Sequence, residues 1–108
     1  MISIADFKNI EMRVGLVVEA TNQEGSEKLI RLVVDFGDER RVIFTGVRLF
    51  GYTPDYFLNK KWVFVTNLES KKIMGEESQG MILAVDGLEG KPVFLTAAED
   101  VGVGTSVH

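Results

Sequence analysis

The chain has 108 residues, no cysteine, one histidine at its last position and a formal net charge of −4. This length suits one domain that folds without cross-links, and the lack of cysteine excludes disulfides and thiolate metal sites. The negative charge argues against a general binder of polyanions. No apolar stretch approaches the roughly 18 residues of a membrane span, and no signal segment opens the chain, so we expect a soluble cytoplasmic protein with no membrane partner.

Five segments rich in β-branched and aromatic residues predict β-strands, with turn-forming residues between the first three. They are residues 14–19, 29–36, 41–45, 61–66 and 80–85. Two short helices are also predicted. One covers residues 4–9, with Ser3 as its N-cap, and the other covers residues 54–58, with Thr53 as cap and Pro54 at the first helical position.

The order of these elements indicates a fold class. Three strands, a helical connection and two further strands are the order of the OB-fold, a five-stranded Greek-key barrel of the all-β class. Another small barrel or a sandwich fits the same pattern. Beyond the fifth strand, apolar segments at residues 92–96 and 101–107 predict a C-terminal extension, which either closes the chain's own barrel or covers a neighbouring chain.

A polar segment, residues 67–81, joins the fourth and fifth predicted strands and contains Lys71, Lys72, Met74 and Gly75. We expect buried strands on both sides to hold this segment rigidly, which reduces the entropy that a ligand must offset. Two adjacent lysines at such a place indicate a loop that binds something anionic. An ordinary long connection with solvated charges is the alternative interpretation.

The motifs of this segment resemble those of a known family. Residues 67–68, 71–75 and 78–81 are similar to the signature of the tRNA-binding domain found at the C-terminus of many methionyl-tRNA synthetases. Similar domains occur as free-standing dimeric tRNA-binding proteins and in the endothelial-monocyte-activating polypeptide group. Shorter matching motifs follow the family's order through almost the whole chain, at residues 6–7, 12–15, 25–29, 34–37, 45–47 and 52–54.

The resemblance implies one tRNA-binding OB-fold domain over residues 1–108. Such a domain recognises the outer corner of tRNA by its backbone and shape and aids a synthetase of the methionyl type. The implied partners are tRNA, a second copy of the chain and, as a further candidate, an aminoacyl-tRNA synthetase. Two alternatives stay open: a protein-binding module like the secretion-related chaperones of the same fold, and a protein that docks synthetases without contacting RNA.

The residues give no support for catalysis. There is no cysteine nucleophile, and the only histidine is His108 at the terminus. No clustered spacing of histidine and carboxylate residues suggests a metal ion, and no glycine-rich phosphate motif opens a helix. We therefore expect a binding protein with no catalytic residue, no metal and no cofactor.

Eight residues are expected to form the nucleic-acid site. Lys71 and Lys72 would contact phosphates, which displaces counterions and makes the affinity depend on salt. Asn67 suits a ribose hydroxyl or a bond that fixes the loop, and Met74 offers an apolar surface to a base or sugar. The eight are Lys28, Asn67, Lys71, Lys72, Met74, Gly75, Ser78 and Gln79. Peripheral contacts are expected from Ser26, Arg31, Thr45 and Arg48.

The chain departs from the family's pattern at the start of the segment. Many relatives have lysine and proline where this chain has Glu69 and Ser70. The change removes a positive charge and a residue that stiffens the loop. Glu76 and Glu77 add further negative charge. We therefore expect the affinity for tRNA to be modest.

Overall fold

β-Strands form most of the ordered structure in the computed structural model, which describes all 108 residues. A single 3-10 turn, Arg48–Phe50, follows the third strand. None of the helices has the length and the hydrophobicity that a membrane-spanning helix requires. The elements in chain order are α1 Ile4–Phe7, β1 Met12–Asn22, β2 Ile30–Asp35, β3 Arg40–Thr45, α2 Pro54–Phe57, β4 Lys61–Val65, β5 Lys71–Ile73, β6 Glu76–Ser78, β7 Met81–Ile82, β8 Ala84–Asp86, β9 Pro92–Phe94 and β10 Ser106–Val107.

The main sheet has the strand order β3-β2-β1-β4-β7, and β10 pairs with the start of β1. β1 pairs with β4 along its first half and with β2 along its second half. The backbone NH of Gln79 donates to the carbonyl of Val42 at 2.8 Å, which joins the last part of the sheet to β3. The sheet therefore curls into a nearly closed five-stranded barrel, and the predicted OB-fold is confirmed.

The first four predicted strands are present, but the fifth, residues 80–85, is wrong as one continuous buried strand. Leu83 interrupts it, because its NH donates to Val63 on β4 while its carbonyl accepts from Leu95, just after β9. The chain changes partner at this residue, so β7 pairs with β4 and β8 pairs with β9. Only Ile82 of the segment is buried. An apolar run in the sequence does not reveal a change of partner strand.

Both predicted helices are present, each slightly shorter than expected. Ser3 caps α1 through a capping box with Asp6, in which each side chain accepts from the backbone NH of the other residue. Pro54 begins α2, where its fixed backbone angle suits the first turn. Thr53 occupies the cap position of α2, but its side chain makes no capping hydrogen bond.

The C-terminal extension packs on the chain's own barrel. β9 pairs with β8, an isolated bridge joins Thr96 to Trp62, and β10 pairs with β1. The ammonium group of Lys61 donates to the carbonyls of Glu99 at 2.8 Å and Val101 at 2.6 Å. The tail therefore packs on the barrel from which it comes.

Aromatic side chains fill the end of the barrel nearest α2. Phe57, Trp62 and Phe94 contact one another with ring centroids 5.1 to 6.0 Å apart. The indole NH of Trp62 donates to the carbonyl of Phe57 at 3.1 Å, so its burial leaves no polar atom unpaired. α2 is thereby fixed to β4, and the connection between β3 and β4 covers this end of the core.

Arg13 joins β1 to the turn between β2 and β3. Its guanidinium donates to the Asp38 carboxylate at 2.8 Å and to the Phe36 carbonyl at 3.1 Å, while its side chain is only 13% exposed. The hydrogen bond with Arg13 holds the pKa of Asp38 below its ordinary value. This arginine therefore serves the fold and is not available to a ligand.

Gly15 allows β1 to pass close to the barrel interior. A Cβ atom at this position would lie 2.4 Å from Cγ1 of Val34 and 2.8 Å from Cε1 of Phe36, both buried. No side chain fits there without moving the core. The tight packing explains why glycine stands in the middle of a long central strand, where its lack of a side chain otherwise weakens the strand.

We expect Gly15→Ala to lower the free energy of unfolding by about 1–3 kcal/mol, because the added methyl group overpacks the core. Urea unfolding followed by the fluorescence of Trp62 measures this change. Gly46→Ala is the matched control, since its new methyl group would meet only Cδ2 of Leu29 at 3.9 Å. A Gly15→Ala variant as stable as the control would show that the core adapts without cost.

Candidate nucleic-acid interface

The polar segment between β4 and β7 contains a β-hairpin, β5–β6, where the sequence indicated only a loop. Its turn is formed by Met74 and Gly75, with φ angles of 51° and 87°. Two successive positive φ angles are typical of the two-residue turns that match the twist of a hairpin. Gly75 adopts this conformation without strain, but methionine rarely does. Met74 thus lies at the tip of the hairpin, with 55% of its surface exposed.

The hairpin has one face on the barrel and one in solvent. Ile73 is paired with Glu76, and Lys71 with Ser78. Ser78 is buried, and Ile73 and Glu76 are half-buried. Lys72 and Glu77 form the alternate pair and are both exposed. Because paired residues share a face of a two-stranded sheet, Lys72 and Glu77 mark the outward face.

Backbone-directed hydrogen bonds fix the base of the hairpin. The Ser78 hydroxyl accepts from the NH of Phe44 at 3.1 Å, and the side-chain oxygen of Gln79 accepts from the NH of Val42 at 3.4 Å. Arg41 donates to the carbonyls of Thr66 at 2.5 Å and Gln79 at 3.2 Å. Ser78 and Gln79, both predicted as ligand contacts, therefore use these groups to hold the hairpin against β3.

Two contacts hold the outer half of the hairpin. Both carboxylate oxygens of Glu76 accept from Arg31 on β2, at 2.8 Å each. These hydrogen bonds keep the pKa of Glu76 below its ordinary value and raise that of Arg31. The methyl group of Met74 packs close to Gly25, since a Cβ atom built on that glycine would lie 3.1 Å from it. The tip of the hairpin therefore meets the loop between β1 and β2.

The β1–β2 loop, residues 23–29, is itself held in one conformation. The Ser26 hydroxyl accepts from the NH groups of Leu29 at 3.1 Å and Lys28 at 3.3 Å. The guanidinium of Arg48 donates to the carbonyl of Ser26, and the NH of Arg48 to the carbonyl of Lys28 at 3.2 Å. Thr45, at the end of β3, is buried at 7% exposure. Ser26 and Arg48 thus position Lys28, whose own side chain is exposed.

Asn67 lies apart from this group, at the start of the polar segment. Its side-chain NH2 donates to the carbonyl of Asn9 at 2.7 Å, and its side-chain oxygen accepts from the NH of Glu11 at 2.9 Å. Both ends of the amide are therefore bonded to the backbone that joins α1 to β1. Of the two roles considered for Asn67, the structure shows the one that fixes the segment.

The basic residues of the hairpin, the β1–β2 loop and the adjoining strands are of two kinds. Arg31, Arg41 and Arg48 are all bonded to carboxylates or carbonyls, so they hold the surface together. Lys28, Lys71 and Lys72 are exposed and form no ion pair. The sequence analysis did not identify Arg41, because the position of an arginine in an apolar strand does not indicate which loop its side chain contacts in the fold. The three lysines are the charges that remain available to an anionic ligand.

The arrangement matches a known family. The sequence profile of the family described as putative tRNA binding domain matches residues 12–106. The chain belongs to this family. Methionine–tRNA ligase of Archaeoglobus fulgidus is 44% identical over 106 residues, and that of Methanocaldococcus jannaschii 41% over 107, or 98% and 99% of the chain. The chain spans only 16% of the length of either ligase.

Solved structures agree with the barrel. A MetRS-related protein from Pyrococcus horikoshii superposes with a TM-score of 0.93 at 39% identity, covering 100% of this chain and 98% of that one. The chaperone CsaA from Bacillus anthracis superposes with a TM-score of 0.87 at 25% identity, covering 100% and 99%. The resemblance and the fold predicted from the sequence are therefore confirmed, and this tRNA-binding domain also shares its barrel with proteins described as chaperones.

We expect Asn67→Ala to lower the free energy of unfolding by about 1–2 kcal/mol, because it removes two hydrogen bonds to the α1–β1 connection. Asn9→Ala is the matched control, since it leaves the carbonyl that Asn67 uses in place. Urea unfolding compares the two variants. An Asn67→Ala protein of unchanged stability but reduced tRNA affinity would instead indicate that Asn67 contacts the ligand directly.

Proposed function

We propose that this chain is a tRNA-binding module, formed by one domain over residues 1–108, that recognises the outer corner of tRNA mainly by backbone and shape. The observation that carries the proposal is the set of three exposed, unpaired lysines on a rigidly held hairpin and loop, in a chain that belongs to a family described as tRNA-binding. Within this proposal the module has no catalytic role and adds affinity for tRNA to an aminoacyl-tRNA synthetase of the methionyl type.

Lys71 and Lys72 on the hairpin and Lys28 on the β1–β2 loop would contact phosphates of one tRNA backbone. Each such contact releases condensed counterions, which supplies affinity without reading sequence. The hairpin is already ordered by its bonds to β2 and β3, so little conformational entropy is lost on binding. Met74 at the tip would pack its thioether on a base or sugar, next to Gly75 in the turn.

We expect the hairpin segment to make few hydrogen bonds to the bases of the RNA. The side chains of Ser78, Gln79 and Asn67 are all hydrogen-bonded to backbone, so few donors and acceptors remain for base edges. Glu69 and Glu77 are exposed nearby in the segment and oppose a polyanion. Both features support recognition of shape and backbone with modest affinity.

We expect Lys71→Ala/Lys72→Ala to weaken binding of total tRNA and to reduce its dependence on salt, because two phosphate contacts are lost. Fluorescence anisotropy at salt concentrations between about 50 and 200 mM measures both effects. The slope of log K against log salt should fall in magnitude by about 1.4 to 1.8, which corresponds to two contacts.

Lys8→Ala/Lys91→Ala is the matched control, since it makes the same change in net charge at exposed lysines outside the hairpin and the β1–β2 loop. Its affinity should stay close to that of the wild type. Equal losses in both double variants would mean that net charge, and not this hairpin, determines binding.

A protein-binding function is the second candidate, because CsaA chaperones from Bacillus anthracis and Picrophilus torridus superpose on the whole chain with TM-scores of 0.87 and 0.85. Absence of tRNA binding by the wild type at low salt would favour it. A synthetase retained on the protein after nuclease treatment would favour the docking alternative. A cytoplasmic location, where tRNA and synthetases meet, belongs to the main proposal.

We expect the protein to form a homodimer through a surface outside the hairpin and β1–β2 loop. Val85 and Val93 lie opposite each other on β8 and β9 and are exposed at 51% and 44%. The edge strands of a two-stranded sheet have unpaired backbone groups, which can pair with another chain. Light scattering after size exclusion should give twice the 12.0 kDa of one chain. A mass of one chain at every concentration would contradict the dimer.

A further inference from the structure

A negatively charged side chain stands within the hairpin that we propose to bind RNA. Glu76 lies on β6 opposite Ile73, on the face that packs toward the barrel. Its two carboxylate oxygens accept from Nε and Nη2 of Arg31, at 2.8 Å each. The two side chains are 30% and 41% exposed, for Arg31 and Glu76 respectively. Bidentate pairs of this geometry are among the stronger and more directional polar contacts in proteins.

The Arg31–Glu76 ion pair joins the hairpin to β2 at a point where no other polar side chain holds it. Ser78, Gln79 and Arg41 fix only the base of the hairpin. Beyond them, β5 and β6 pair over three residues each, and a two-stranded hairpin is at best marginally stable by itself. The Arg31–Glu76 pair is the polar contact that holds the outer half of the hairpin, which carries Met74, against β2.

We infer that Arg31 and Glu76 act as positioning residues for RNA binding: Arg31 is held by Glu76 and is not a phosphate ligand, and Glu76 favours RNA binding in spite of its negative charge. This inference rests on the proposed function. Charge alone predicts the opposite, because removal of a carboxylate near the site should strengthen the attraction for RNA. The two interpretations therefore differ in the sign of one measured effect.

The next residue supplies a matched control. Glu77 has the same side chain as Glu76 and lies one position along β6, but it is on the outward face, is exposed and forms no ion pair. Glu77→Gln and Glu76→Gln change the net charge equally at almost the same place. Only Glu76→Gln removes the ion pair with Arg31, because the amide of glutamine carries no charge and offers one acceptor oxygen in place of two.

We expect Glu76→Gln to weaken binding of total tRNA by about three- to tenfold, because the hairpin must then be ordered when RNA binds. Glu77→Gln should bind as tightly as the wild type or more tightly. Arg31→Gln should weaken binding as Glu76→Gln does, and the double variant should be no weaker than either single one, because both changes remove the same contact. Anisotropy titrations of the full chain measure all four.

The dependence on salt separates a positioning role from a ligand role. A phosphate ligand contributes about 0.7 to 0.9 to the slope of log K against log salt. We expect Arg31→Gln and Glu76→Gln to keep the wild-type slope while the affinity falls. The charge-swapped variant Arg31→Glu/Glu76→Arg should recover part of the affinity. A slope reduced by one contact in Arg31→Gln, or tighter binding by Glu76→Gln than by Glu77→Gln, would overturn the inference.

Amide hydrogen exchange of the free protein tests the contact without RNA. Glu76→Gln should speed exchange across residues 71–78 and leave the core strands unchanged, whereas Glu77→Gln should have the wild-type pattern. If the wild type binds no tRNA, the proposed function fails but this measurement still decides whether the ion pair orders the hairpin. Unchanged exchange in Glu76→Gln would show that it does not.

Discussion

The structure depends on the close passage of β1 across the barrel at Gly15. β1 pairs with β4 along its first half, with β2 along its second half and with β10 at its start, so it joins both halves of the fold. Val34, Phe36 and Phe64 occupy the space that a side chain at Gly15 would need. The absence of a side chain at Gly15 lets β1 pass close to the core without displacing it, and closure of the barrel brings β3 next to the segment that follows β4.

Closure of the barrel also creates the candidate interface. The β5–β6 hairpin lies along β3, through Ser78 and Gln79, and reaches the β1–β2 loop at Met74 and Gly25. Loops at this side of an OB-fold are common sites of oligonucleotide binding. The hairpin has too little pairing of its own to be stable alone, so its order comes from the barrel beneath it. The packed barrel therefore holds the polar hairpin in place through its bonds to β3.

Arginines and lysines have different roles on this surface. The planar guanidinium groups of Arg31, Arg41 and Arg48 form several directed bonds to carboxylates and carbonyls, which suits them to joining elements. Lys71 and Lys72 are exposed and form no ion pair, and an ammonium group on a flexible stem acts as a point charge. The net charge of −4 arises in the C-terminal third, because residues 73–108 hold six acidic residues and one basic one, whereas acidic and basic residues are nearly balanced over residues 1–72.

The all-β class, four of the five main strands, both helices and the family could be predicted from the sequence, because these depend on local patterns and ordered motifs. The sequence also located the polar segment with Lys71, Lys72 and Met74. The folded barrel was needed to show that Leu83 divides the fifth strand, that the segment forms a hairpin, and that Arg31, Asn67 and Ser78 are bonded within the chain. Each of these features depends on a partner far away in the sequence, and a local pattern of residues carries no information about which distant groups the closed barrel brings together.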